Sequence, residues 1–384
     1  MDFTIFGRKI SFNRNEVAGS FGDIGTDLPL IVGLIATSGL DSASALVMFG
    51  LMQISTGIVY GLPMPVQPLK AMATIMISQK LDANLLYGGG LAIGITMLLL
   101  TLTGMLEVIA MAIPKSVVRG IQFGLGLSLA TLALKNYIQS DALPGYVLAA
   151  LSFATILFLQ GSKKYPPALA VILMGMLYAI FFKIDFARLA SGFGLSLPKP
   201  HVPTLDDVST GFLMLALPQL GLSIPNAVIA TKQTIEDLFP ERGISVKRIG
   251  ITYSLMNIIL PFLKGIPNCH GAGGVAGHYA FGARTAGSVI TYGLIYLILG
   301  LFFAGAFDEV IKVFPLPVLG IILLFEGLSL MSLIRDVAAS KRELFLALLV
   351  SLVALGLPGG FALGIVIGMG VTYLMNKGIL MRAG

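Results

Sequence analysis

Two short segments carry the residue types and spacing suited to holding an ion. In Gly61-Leu-Pro-Met-Pro-Val-Gln-Pro68, prolines at 63, 65 and 68 forbid a continuous helix, because each fixes φ and removes a backbone donor. Pro68 suits a helix start, with Leu69, Lys70 and Ala71 in the first turn. In Gly265-Ile-Pro-Asn-Cys-His-Gly-Ala-Gly-Gly274, glycines at 265, 271, 273 and 274 play a similar part. Here Gly271, Ala272, Gly273 and Gly274 open the second helix. A helix start presents unsatisfied N–H groups and a partial positive charge, and so favours anions.

Polar side chains gather on or near these segments. Thr26 lies with Asp23 and Asp27 in a glycine-rich break, Gln67 and Lys70 flank the first helix start, and Asn268 and His270 precede the second. Gln219, Ser223 and Asn226 fall in one later apolar stretch. Amide and hydroxyl donors suit a tetrahedral oxyanion, which they bind without trapping. Lys70 either adds one full positive charge or snorkels to the interface. Carboxylates inside a membrane are costly and usually functional, so Asp23, Asp27 and Glu326 are candidates for carrying a proton. Asp23 could equally cap the helix break. Cys269, His270 and His278 match no zinc spacing, and no nucleophile elbow, phosphate loop or His-Glu-x-x-His occurs. No metal, cofactor or enzymatic activity is expected.

Positioning these residues falls to membrane helices. Hydrophobic residues make up 56% of the 384 and charged ones 11%, and the mean hydropathy is +0.91. A soluble domain carries about 25% charged residues, so the expected surroundings are a lipid bilayer. With one cysteine no intrachain disulfide can form, and with no basic run nucleic acid is not an expected partner. A ruler of about 20 apolar residues gives spans near 15–38, 43–60, 84–111, 114–134, 145–160, 167–183, 208–232, 247–264, 285–307, 310–334, 341–357 and 360–380. The broken segments 61–79 and 265–283 bring the total to fourteen. Most Lys and Arg, including Lys115, Arg119, Lys163, Lys164, Arg284 and Arg335, then fall on one side, which the positive-inside rule makes cytoplasmic together with both termini.

The halves resemble each other. Gly61-Leu-Pro63 recurs as Gly265-Ile-Pro267. Gly126-Leu-Ser-Leu129 recurs as Gly327-Leu-Ser-Leu330, and Gly25 and Pro29 as Gly221 and Pro225. Seven spans is an odd number, so the second repeat is inverted, as in many secondary transporters. The expected fold is an all-α polytopic membrane protein of seven plus seven spans. Residues 1–183 form the first repeat, 184–207 an outer linker and 208–384 the second repeat.

Four motifs in order, Gly22-Asp-Ile-Gly-Thr26, Pro63-Met-Pro-Val-Gln-Pro68 with Lys70, Pro218-Gln-Leu with Asn226-Ala-Val-Ile229, and Cys269-His-Gly-Ala-Gly-Gly274 through Phe281-Gly-Ala-Arg284, resemble the MOT1-type molybdate transporters. That family is related to the SulP sulfate permeases. The resemblance spans nearly the whole chain. It implies a UraA-like fold, with core and gate domains each drawn from both repeats, and uptake of molybdate with sulfate as the competing anion; tungstate and sulfate stay open as further substrates, since all three are tetrahedral dianions. It also allows a homodimer. Asp27 stands where an apolar or aromatic residue is expected, Asn268 where methionine is, and His278 where glutamine is. No STAS domain is expected after the last span. The rivals are a sulfate carrier, a proton symporter of nucleobases or other organic anions, and an anion channel. Nucleobase carriers of this fold place glutamates where Gln219 and His270 stand. With no targeting peptide in view, the expected location is a prokaryotic plasma membrane.

Overall fold

The computed structural model describes residues 2–5, 8–162, 167–183, 189–190, 192–377 and 379–380. Lys163 and Lys164, placed in an inner loop above, and residues 184–188 of the outer linker lie outside them. The chain opens with a hairpin, β1 (Asp2–Ile5) and β2 (Arg8–Ser11). The first span is broken as its glycines suggest, into α1 (Arg14–Gly19) and α2 (Ile24–Ser38). Then follow α3 (Ser42–Tyr60), β3 (Val66–Pro68), α4 (Lys70–Gln79), α5 (Ala83–Leu102) and α6 (Met105–Ala112). The first half ends with α7 (Lys115–Tyr137), α8 (Ala142–Leu159) and α9 (Pro167–Phe182).

The second half repeats that order. It runs α10 (Leu205–Leu238), α11 (Val246–Leu263), β4 (Asn268–His270), α12 (Ala272–Ala280), α13 (Gly287–Phe302), α14 (Ala304–Val313), α15 (Leu316–Val337), α16 (Lys341–Gly356) and α17 (Gly360–Asn376). Pro218 and Pro225 interrupt α10, whose backbone widens into looser turns around them because proline supplies no helical donor. Among the described residues seven helices are long and apolar enough to cross a membrane. The α13–α14 pair, bent by 93°, allows one more, and α2, α9 and α17 are shorter apolar helices. With α16 and the half-helices α4 and α12 they fill the fourteen expected places.

Two expected spans need correction. The stretch 84–111 is not one helix: it stops at Leu102, and Gly104, at φ +74°, starts α6. The Thr103 hydroxyl bonds back to the Leu99 and Leu100 carbonyls at this break. Likewise 285–307 ends at Phe302, and α14 turns away carrying Asp308, Glu309 and Lys312. Charges that avoid hydrocarbon suit a helix lying at the interface.

The packing follows the repeat. Helix α3 lies along α13, and in the related place α5 lies along α11. Helix α7 packs on α15 and α16, and α16 on α17. The repeated Gly-Leu-Ser-Leu motifs meet where α7 crosses α15. There a Cβ on Gly327 would lie 2.6 Å from the Gly126 carbonyl oxygen, so the crossing demands glycine. Exposed residues such as Leu99, Phe158, Phe181 and Leu352 cover the outside, as a lipid-facing surface should.

The two proline- and glycine-broken segments meet at the centre. Strands β3 and β4 pair antiparallel, with Val66 opposite His270, Gln67 opposite Cys269 and Pro68 opposite Asn268. Open backbone inside a membrane must find internal partners. The remaining edges are closed by one amide from each repeat. Gln53 Nε2 donates to the Val66 carbonyl at 2.7 Å and its Oε1 accepts from Val66 N at 3.0 Å. Asn257 does the same for Asn268, at 2.7 and 2.9 Å.

Candidate functional site

Helices α4 and α12 both start beside this strand pair, but they start differently. At α4 the backbone N–H groups of Ala71 and Met72 donate to Gln219 Oε1, at 2.8 and 3.2 Å. Gln219 in turn donates to the Ser223 hydroxyl at 2.9 Å, which meets the Tyr253 hydroxyl at 2.8 Å. At α12 the cap residue is Gly271, with no side-chain cap, and a Cβ on Gly273 would touch nothing within 4 Å. The expectation of two open helix starts therefore holds at α12 and fails at α4.

A cavity of about 350 Å³ lies in front of these starts. Of the expected residues, Gln67, Lys70, Gln219, Ser223, Asn226, His270, Gly271, Ala272 and Gly273 line it, and so does Glu326. Thr26, Leu69, Ala71, Asn268, Gly274, Asp23 and Asp27 do not line it. Leu69 caps α4 from inside the core, and Gly274 backs onto Asp23 and Pro65. The Asn268 side chain is buried with both amide atoms unpaired.

Several of the expected donors are already engaged. The Gln67 amide nitrogen donates to both Asp23 oxygens, at 2.7 and 2.6 Å. His270 Nε2 meets the Thr252 hydroxyl at 2.8 Å. Lys70 Nζ pairs with Glu326 Oε1 at 3.0 Å. Left to face an incoming ion are the start of α12, the Asn226 amide and the exposed part of Lys70. Asp27 is set apart: fully buried, it receives the Tyr292 hydroxyl at 3.3 Å, and its Oδ1 has no partner. Tyr292 also meets the Tyr296 hydroxyl at 3.1 Å and stacks edge-on against His278.

The far wall contains residues the sequence reading missed. Arg119 and Gln122 of α7 and Ser329 of α15 join Glu326 there. Arg119 donates to Gln122 at 2.7 Å and from Nε to Asp336 at 3.1 Å. Gln53 and Asn257 were also missed, although each is a lone amide in an apolar helix ahead of the matched Gly-Leu-Pro and Gly-Ile-Pro breaks. Among the described residues no group of His, Cys, Asp and Glu could hold a metal ion.

Residues 15–129 and 211–330 match the family described as "Molybdate transporter of MFS superfamily". The chain belongs to this molybdate transporter family. Molybdate transporter 2 of Arabidopsis thaliana is 32% identical over 94% of this chain and 87% of its own length. Molybdate transporter 1 of the same plant is 33% identical over 92% and 86%. Among solved structures, the transmembrane domain of a cyanobacterial bicarbonate transporter, BicA, superposes with a TM-score of 0.67 at 17% identity, covering 94% of this chain and 97% of that one. The family member is thus a multi-pass anion transporter of the SulP and UraA-like fold, and not an enzyme. The description names the major-facilitator superfamily, but the fold that superposes over 94% of the chain is that of BicA. Both relatives are plant proteins, which gives the expectation of a prokaryotic membrane no support.

Proposed function

We propose that this protein takes up molybdate, with the dianion bound between the open start of α12 and Lys70. Asn226 supplies a neutral donor, and Gln67 and Gln219 hold the two helix starts in place. The observation that carries the reading is an α12 start with no side-chain cap, open at Gly273, that lines one cavity with a lysine, in a chain whose relatives are molybdate transporters. Backbone N–H groups and the helix dipole favour an anion there. Tungstate and sulfate have the same shape and charge and are the natural competitors.

Transport moves one helix group against the other. The core holds α2, α3, α4, α5, α10, α11, α12 and α13, and the gate α7, α8, α9, α15, α16 and α17, so each draws on both 1–183 and 208–384. With Lys115 and Arg335 on the cytoplasmic side, together with both termini, a cavity reaching Arg119 and Leu333 is the inward-facing arrangement. A proton drives uptake, and Asp27 is the carboxyl with room for it. Glu16, another buried carboxylate, receives three backbone N–H groups, whereas Asp27 receives one long hydroxyl bond.

The test is uptake of labelled molybdate into proteoliposomes under an inward proton gradient with excess sulfate. Saturable uptake that survives sulfate and collapses with the gradient is expected. Uptake indifferent to the gradient would remove the proton, and no uptake would move the assignment to another anion.

A further inference from the structure

One ion pair crosses the cavity. Lys70 starts α4, beside the strand pair, and Glu326 sits on α15 in the opposite wall, with 3.0 Å between Nζ and Oε1. Their side chains keep 32% and 15% of their surface exposed, so an ion in the cavity reaches both. The repeat offers no second copy: the residue related to Glu326 is Leu125, which is fully buried. The lysine that would hold the anion therefore already has a carboxylate at contact distance. That carboxylate is tethered to a packed helix and cannot diffuse away.

We propose that Glu326 is a built-in competitor for the transported anion, occupying its place beside Lys70 and tying the two helix groups together until the anion displaces it. This rests on the oxyanion reading above. A tethered group acts at a high effective concentration. A solution monoanion exchanging with it replaces one negative charge with another and gains little. A tetrahedral dianion brings twice the charge, and its further oxygens reach the α12 N–H groups at the same time. Glu326 is thus a specificity-determining residue that selects dianions over monoanions. Its release from Lys70 also frees the two groups to move.

The test is equilibrium binding of labelled molybdate to purified protein at fixed pH and ionic strength, with tungstate and nitrate as competitors. In the wild type, tungstate competes and nitrate does not. Glu326→Gln, nearly the same shape without the charge, is expected to bind molybdate about tenfold tighter and to let nitrate compete. Loss of structure cannot tighten binding, so a purely structural ion pair predicts the opposite sign. Unchanged or weaker binding by a folded Glu326→Gln protein overturns the proposal. Glu326→Asp, which draws the carboxylate back from Lys70, is a second variant and should tighten binding by a smaller factor; no tightening there also overturns it. A wild type that binds no molybdate sinks the oxyanion reading itself, an outcome distinct from sound wild-type binding that the variants leave unchanged.

Discussion

The starts of α4 and α12 occupy related places in two inverted repeats, yet one is filled by the protein and the other is open. Gln219 reaches across to cap Ala71 and Met72. Its counterpart in the first repeat, Asp23, takes the Gln67 amide instead. A carboxylate that capped α12 as Gln219 caps α4 would compete with any substrate anion, while a neutral amide at α4 repels nothing. Inverted symmetry thus builds the scaffold, and departures from it make the site. The first helix contributes a lysine and the second its bare backbone.

If that division is right, losing Lys70 has the largest effect. Lys70→Ala removes the cation and leaves Glu326 unpaired in the cavity wall. Molybdate then loses its cationic contact and meets an unpaired carboxylate, so its affinity should fall by about thirtyfold or more in a binding assay. Near-wild-type affinity would place the anion elsewhere. Gly273→Ala comes next. Its methyl group enters open space, so thermal unfolding should be unchanged while affinity drops by about tenfold through crowding of the α12 start. Gly274→Ala makes a control, since a Cβ there would meet Pro65 at 2.8 Å and should lower the melting temperature instead.

Gln219→Ala should show the reverse pattern. Removing a cap costs about 0.5–2 kcal/mol, read as a lower melting temperature, with molybdate affinity shifting by less than about threefold. A large affinity loss without a stability loss would mean that α4 binds the anion too. The most symmetric effects belong to the strand clamps, which act on stability and not on affinity. Gln53→Ala and Asn257→Ala each orphan one buried N–H and one carbonyl, at about 1–3 kcal/mol each, and should destabilise the protein by similar amounts.

Much of this was legible in the sequence because membranes leave few choices. Spans must be long and apolar, and breaks need proline or glycine, so both half-helices and most cavity residues stood out. What was not legible depends on partners distant in the chain. The engagement of Gln67 with Asp23, and of Gln219 with α4, follows from side chains separated by 44 and 148 positions. No local pattern states which of two donors is free. Glu326 stood out as a candidate proton carrier and not as the partner of Lys70, since that lysine lies 256 positions away. Helices α6 and α14 were absorbed into neighbouring spans because hydropathy alone does not register a bend.

The most direct measurement is an experimental structure with tungstate bound, whose heavy atom locates the ion without ambiguity. The account predicts tungstate within hydrogen-bond distance of the N–H groups at Ala272, Gly273 and Gly274, with Lys70 turned from Glu326 towards it and Gln219 still capping α4. Tungstate at Arg119, or at an α4 start vacated by Gln219, with the α12 start empty, would contradict it.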